Sequence, residues 1–308
     1  MNREKFETTK NKYFFQALIN FWKPSIEDGK IPLWMEYALA TNERGREIAA
    51  TVEKYTQIKD ATYLDAGFSY GGAIVAFAEK KAACYGFEID KDIFTIAKEN
   101  FKDNHINPDI YIKNIEENPG EKFKHFFNII TCNNVLEHVN DPAQVIRNIS
   151  SMLYYRGTAY FEIPNRYYPP CVLRDEHTSL FAITLLERDE ALSYYKTLHP
   201  ESIYGVGQYL TLDTYMDLFK EAGLMPVILD ETFDDYRNDK ILDTVEEIKH
   251  ARDMIPEGVE KMLQKKIRAY LKDFYDTLKH DEKTFILNYG VPYWKILCRK
   301  SPLETVKK

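Results

Sequence analysis

Three places along the chain combine residue types that do chemistry. Residues 65–72 read Asp-Ala-Gly-Phe-Ser-Tyr-Gly-Gly, and a second carboxylate, Glu88, follows about 20 residues later. Small residues in such a loop let backbone N–H groups approach a ligand closely. Glu137-His138 and Asp175-Glu176-His177 are the other two places. Histidine exchanges protons near neutral pH, so His138 or His177 could act as general base toward a hydroxyl. Glu137, His138 and His177 together offer one carboxylate and two imidazoles, a set that also suits a divalent metal.

The glycine loop admits three readings. Gly67-Phe68-Ser69-Tyr70-Gly71 matches the G-x-S-x-G nucleophile elbow of hydrolases. That elbow normally follows several strands, whereas this loop follows the first strand the sequence shows. Gly67-x-Ser69-x-x-Gly72 is also a dinucleotide fingerprint with its middle glycine lost, and Asp65 would crowd a pyrophosphate with like charge. The third ligand is S-adenosylmethionine, which has no phosphate and carries a cationic amine and a sulfonium. Asp65 suits that charge, and Glu88 could accept hydrogen bonds from both ribose hydroxyls.

The elements around these residues follow from the spacing of apolar side chains. A run at 61–66 ends in the loop, and 71–80 reads as a helix. Strands at 82–89, 109–113, 126–132 and 158–163 alternate with helices at 91–100 and about 142–153. Pro142 is acceptable at the first helical position. Such alternation predicts βαβ units and a parallel sheet. Residues 1–60 read as a helical N-terminal segment, where Ile48, Ala49, Val52 and Tyr55 share one face. After Pro164 comes an aromatic insertion at about 165–210, then a helix at 212–222 and a strand at 225–229. A second insertion, about 232–288, carries an apolar stripe from Val259 to Leu278 that predicts a helix some 20 residues long. A strand at 293–299 closes the chain, with a partner strand expected near 285–289. The expected α/β domain spans 61–308, and its two insertions would form a lid over the carboxyl ends of the strands, where open α/β sheets bind ligands.

Composition bounds the rest. The 308 residues are 44% hydrophobic and 29% charged, which excludes wholesale disorder and a disulfide scaffold. A net charge of −7 gives no global reason to seek nucleic acid or anionic membranes, so neither is an expected partner. Cys84, Cys132, Cys171 and Cys298 form no C-x-x-C motif and suit a reducing cytoplasm. No run of about 18 apolar residues occurs, so no membrane span is expected. The apolar stretch 13–22 is short and follows Glu4 and Glu7, so it does not read as a signal peptide. Nothing in the sequence sets an oligomeric state.

Four segments taken in order carry a resemblance. Asp65-Ala-Gly-Phe-Ser-Tyr-Gly, Gly86-Phe-Glu-Ile-Asp90, Asn134-Val-Leu-Glu-His-Val-Asn-Asp-Pro142 and Ile163-Pro-Asn165 resemble class I S-adenosylmethionine-dependent methyltransferases. The Val-Leu-Glu-His-Val segment is similar to a subgroup that modifies small molecules, lipids and glycans. The helix and strand at 212–229, with a Glu-Ala-Gly-Leu junction, fit the same pattern. The resemblance implies a Rossmann-like sheet, mostly parallel with an antiparallel last strand. It implies a cofactor loop of Asp65, Gly67, Ser69 and Gly71, with Glu88 on the ribose and Ile89 packed on adenine. Asn114 and Ile115 would flank the adenine, and Asn133 would lie beside the methionine part. Arg44 could reach the cofactor carboxylate. Ser69 stands where a middle Gly is usual, and Asn114 where an Asp often contacts adenine.

The implied reaction is methyl transfer, with O-methylation of a small molecule, a sugar or glycan, or a lipid-linked acceptor expected, and His138 or His177 as base. Glu-His, Pro-Asn and Asp-x-His are also similar to metal-dependent methyltransferases acting on an RNA 3′-terminal 2′-hydroxyl. Those carry a further Glu where this chain has Asn134. A non-catalytic S-adenosylmethionine-binding scaffold is a third possibility, because a fold alone does not establish activity. The insertion around 174–195 looks like the cover segment of glycan or natural-product methyltransferases. Tyr167, Tyr168, Tyr194, Tyr195, Tyr204 and Tyr209 suit stacking on a ring-bearing acceptor.

Overall fold

A computed structural model describes residues 12–22, 33–234, 236 and 238–301. Glu4 and Glu7, and parts of the helical segment expected over 1–60, lie outside the described residues. Helices α1 (Lys12–Trp22), α2 (Leu33–Leu39) and α3 (Thr41–Glu53) precede the first strand. Then come β1 (Thr62–Ala66), α4 (Gly72–Glu79), β2 (Ala83–Glu88), α5 (Lys91–Asp103), β3 (Asp109–Ile112), β4 (Phe127–Asn133), α6 (Pro142–Met152) and β5 (Leu153–Pro164). The first insertion holds α7 (Pro169–Leu173) and α8 (Arg188–Leu198), followed by α9 (Leu212–Glu221) and β6 (Leu224–Ile228). The second holds α10 (Asn238–His250), α11 (Glu260–His280) and α12 (Glu282–Phe285), and β7 (Tyr293–Lys300) closes the chain.

The strands form one sheet in the order β3-β2-β1-β4-β5-β7-β6. β1 lies parallel to both β2 and β4, and β2 parallel to β3. The sheet is mostly parallel with its last strands antiparallel, where the resemblance implied one antiparallel last strand. No helix among the described residues is long and apolar enough to cross a membrane.

One compact unit comprises the described residues up to 133, together with 147–160 and 299–301. Its first helices bury Phe14, Phe15, Leu18, Met35, Ala38 and Leu39 with Tyr70 and Ile96. α3 crosses α4 at glycines: a Cβ on Gly72 would sit 2.0 Å from the Thr41 carbonyl oxygen, and one on Gly45 would sit 2.1 Å from the Gly72 oxygen. Backbones this close leave no room for a side chain, so α3 is seated on the first turn of α4. The Asp90 carboxylate caps α5 by accepting from the Asp92 and Ile93 N–H groups, satisfying donors that a helix start leaves unpaired.

The second unit comprises residues 134–146 and 161–298. Its core joins Phe181, Ile183 and Leu185 to Ile241, Val245, Leu263, Ile267, Tyr270 and Phe274, so the α11 stripe read from the sequence is the buried face. The strand expected near 285–289 is absent. The Asp281 carboxylate caps α12 through the Thr284 N–H, and a wider turn of π-type helix follows over Ile286–Gly290. Phe285 and Tyr289 are both buried four residues apart, a helical period that the short apolar run disguised. All four cysteines are buried free thiols.

Candidate active site

The loop after β1 is built by strand register. Asp65 stands opposite Gly86 of β2 and Thr131 of β4. Thr131 Oγ1 donates to Asp65 Oδ1 at 2.8 Å, so the Tyr63 hydroxyl, 2.6 Å from Thr131 Oγ1, must donate to it. Burial pushes the Asp65 carboxyl up to about 7; the Thr131 bond opposes this and the Glu88 charge adds to it. The chain then turns through Ser69 at φ 48° and Gly71 at φ 80°, where a Cβ would also meet the Phe101 ring at 2.3 Å. That left-handed turn opens α4.

Glu88 closes the loop from the next strand. Its Oε2 accepts from the Ser69 N–H at 2.9 Å, and its Oε1 accepts from Ile89 and Asp90 at 2.8 and 2.9 Å. Ile89 itself is 63% exposed, an apolar side chain without cover. Asn114 Oδ1 accepts from Glu116 N, and Ile115 is buried with its carbonyl held by Asn148 Nδ2 at 2.8 Å. The Asn133 amide oxygen is buried and has no hydrogen-bond partner. Arg44 lies 3.5 Å over the Tyr37 ring and donates to the Tyr37 carbonyl.

The second unit gathers Glu137, His138 and His177. One ligand atom from each lies within 4.8 Å of the others. The imidazole rings stand edge to face, 4.7 Å apart at 84°. His138 Nδ1 is 2.8 Å from the Gly205 carbonyl oxygen. A carbonyl only accepts, so that nitrogen carries the proton and Nε2 holds a lone pair. His177 Nδ1 is 2.7 Å from the Tyr209 hydroxyl, which donates to Asp175 Oδ1 at 2.8 Å. Glu137 is 1% exposed, its Oε1 is 3.8 Å from His138 Nε2, and neither oxygen has a hydrogen-bond partner. Its backbone is fixed by Gly207 and Gln208, whose N–H groups donate to its carbonyl.

The charges follow from these contacts. Burial pushes Glu137 up to about 7, opposed by the nearby His177. Burial lowers His138, partly offset by Gly205. Burial also works against a charged His177, but Asp175, Glu137 and Glu176 outweigh it and raise its pKa. Asp175 is held below the usual carboxylate range despite burial, by donors from His177, Thr178 and Tyr209.

Residues 39–228, more than half of the chain, match the family described as a methyltransferase domain. The chain belongs to the class I S-adenosylmethionine-dependent methyltransferases. The ubiquinone biosynthesis O-methyltransferase of Saccharophagus degradans is 29% identical to this chain over 115 residues, 37% of this chain and 48% of that protein. The protein of the same name from Hydrogenovibrio crunogenus is 27% identical over 124 residues, 40% of this chain and 50% of that one. The chain therefore spans about half the length of the curated relatives it matches. The crystal structure of an S-adenosylmethionine-dependent methyltransferase from Mesorhizobium loti shares the fold, with a TM-score of 0.51 at 14% identity over 83% of this chain and 98% of that one.

Within the chain, the residues expected at the cofactor loop converge in the first unit, and the two histidines with Glu137 converge in the second. Three of the partners had not been singled out for these roles. Thr131 supports Asp65, and only the β1–β4 register reveals it. Asn148 holds the carbonyls of Ile115, Glu116 and Glu117 from α6. Asp175 serves His177, and the Asp-x-His spacing could have signalled that. Tyr194 and Tyr209, expected to stack on an acceptor, are instead buried at 1% and 7% exposure.

Proposed function

We propose that this methyltransferase O-methylates a hydroxyl on a small molecule, a sugar or glycan, or a lipid-linked acceptor, with His177 as the general base. The observation that carries the reading is the cluster of a buried Glu137 with two solvent-accessible histidines, each of which commits Nδ1 to a partner and keeps Nε2 for chemistry. The chain's residues suit the cofactor: a buried amide oxygen at Asn133 without a donor, and a buried Asp65, fit a cationic amine. Glu88 would hold the ribose, already oriented by three backbone N–H groups, with Ile89, Asn114 and Ile115 at the adenine and Asn133 beside the methionine part. The cofactor supplies, when bound, an electrophilic methyl on a sulfonium.

His177 Nε2 takes the proton of the acceptor hydroxyl. The imidazolium so formed is stabilised by the nearby carboxylates, which already raise its pKa. Cytoplasmic placement belongs to the same reading.

A second reading rests on one observation. With Nε2 of each neutral histidine unprotonated and Glu137 ionised, the cluster presents three acceptors and no donor. It must take up a proton or a cation. A divalent metal would be held by Glu137, His138 and His177 and would supply Lewis acidity toward the hydroxyl.

Cofactor turnover screened against sugars, lipid-linked glycans, phenols and amines tests the function. His177→Ala should lower kcat by roughly 10²–10⁴-fold with cofactor binding nearly unchanged. Loss of activity on chelation, restored by Mg²⁺ or Mn²⁺, selects the metal reading. Unchanged turnover per folded molecule in His177→Ala overturns both.

A further inference from the structure

The proposed base is held from behind by groups the reaction leaves untouched. Asp175 is 2% exposed, and its Oδ2 accepts from the His177 N–H, the Thr178 N–H and Thr178 Oγ1 at 3.1, 2.7 and 2.7 Å. Its Oδ1 takes the one proton of the Tyr209 hydroxyl. Having given that proton away, the Tyr209 oxygen can only accept from the 2.7 Å neighbour, His177 Nδ1. No direct bond joins His177 Nδ1 to Asp175, because Nδ1 and Oδ1 are 3.9 Å apart.

The backbone under Tyr209 is equally fixed. Arg166, 4% exposed, donates Nη1 to the Tyr209 carbonyl at 2.7 Å, Nε to Thr184 and Nη2 to Leu186. A buried guanidinium spent on three main-chain carbonyls pins the segment carrying the tyrosine to the turns of the first insertion. Asp175 and His177 belong to one turn, so the whole chain of bonds rests on two short backbone stretches.

We propose that Asp175 and Tyr209 are positioning residues that fix His177 in its Nδ1–H tautomer, leave the Nε2 lone pair for the acceptor, and pass the Asp175 charge to the imidazolium through the tyrosine hydroxyl. Which ring nitrogen of a histidine is protonated is set by the hydrogen bond the other makes. Here that bond is made by a neutral hydroxyl whose own orientation is dictated by a buried carboxylate. The inference rests on His177 being the base, but its test does not.

The test is nitrogen NMR of the full chain labelled with ¹⁵N-histidine, with His177 assigned by the signal lost in His177→Gln. Above its titration, His177 should show a protonated Nδ1 and an unprotonated Nε2. Tyr209→Phe and Asp175→Asn should each convert this to a mixture of tautomers. Glu137, His138 and Glu176 also face the ring and remain in both variants. kcat should fall about 10–100-fold in Tyr209→Phe, with the KM for the cofactor unchanged. A merely structural tyrosine would lower melting temperature and leave the tautomer unchanged. Nε2–H as the dominant wild-type tautomer, or unaltered His177 signals in both variants, overturns the proposal. If the NMR result holds while His177→Ala keeps its turnover, the positioning stands and the general-base reading fails instead.

Discussion

Asp65→Asn should make the ligand-free protein more stable, and only above acidic pH. The carboxyl is buried and its pKa lies at about 7 in the folded chain, against an ordinary 3.8. A carboxyl raised this far penalises folding, because the unfolded chain ionises first. Below both values the folded and unfolded states are equally protonated and no penalty applies. Between them the unfolded state releases its proton and stability falls as pH rises; above about 7 the full penalty remains. At about 1.4 kcal/mol per pKa unit, the shift is worth up to about 4 kcal/mol. Asparagine retains an amide oxygen for the Thr131 hydroxyl and carries no charge, so the penalty disappears. Urea unfolding of both proteins at intervals from pH 4 to 8.5, without cofactor, reads this directly. The gap should be smallest near pH 4, about 0.5 kcal/mol, and the variant should lead increasingly toward pH 8. A pH-independent difference, or a variant less stable at pH 8, would refute a buried carboxylate awaiting a cation. The same substitution should weaken S-adenosylmethionine, whose amine would otherwise relieve that penalty.

Two further substitutions probe the same loop. Glu88→Ala should weaken cofactor binding by about 1–3 kcal/mol, measured by calorimetry, because a charged acceptor of hydroxyl bonds is lost; NADH should not compete at this site. Ser69→Ala should keep most methyl transfer and Ser69 should resist a fluorophosphonate probe, since the Ser69 contribution to Glu88 is its backbone N–H rather than its hydroxyl.

The alternating strands and helices were legible because each short apolar run is bounded by a loop or a cap that the chain cannot disguise. Asp65 and Glu88 stood out for a related reason: each is a carboxylate at the end of a strand, Asp65 before a glycine turn and Glu88 before a helix. What escaped the sequence depends on pairing across distance. Thr131 matters to Asp65 only through a β1–β4 register, and the bond between Tyr209 and Asp175 joins residues 34 apart without any period linking them. The Phe285–Tyr289 stretch misled because five residues are too few to separate a helical period from a strand run. The tyrosines of the first insertion were counted for their rings, yet Tyr209 acts through its hydroxyl and Tyr194 fills the core.

The burial of every native thiol has a practical consequence. Burial pushes Cys84 up to about 12 and raises Cys171 and Cys298 well above the ordinary thiol value, so the reactive thiolate is scarce at neutral pH. The folded protein is therefore a quiet background for maleimide chemistry. Ile203 is 88% exposed, one residue before Tyr204 and two before Gly205, whose carbonyl holds His138. An Ile203→Cys thiol would take a fluorophore or spin label alone, reporting on the segment that fixes this histidine while acceptors are titrated in.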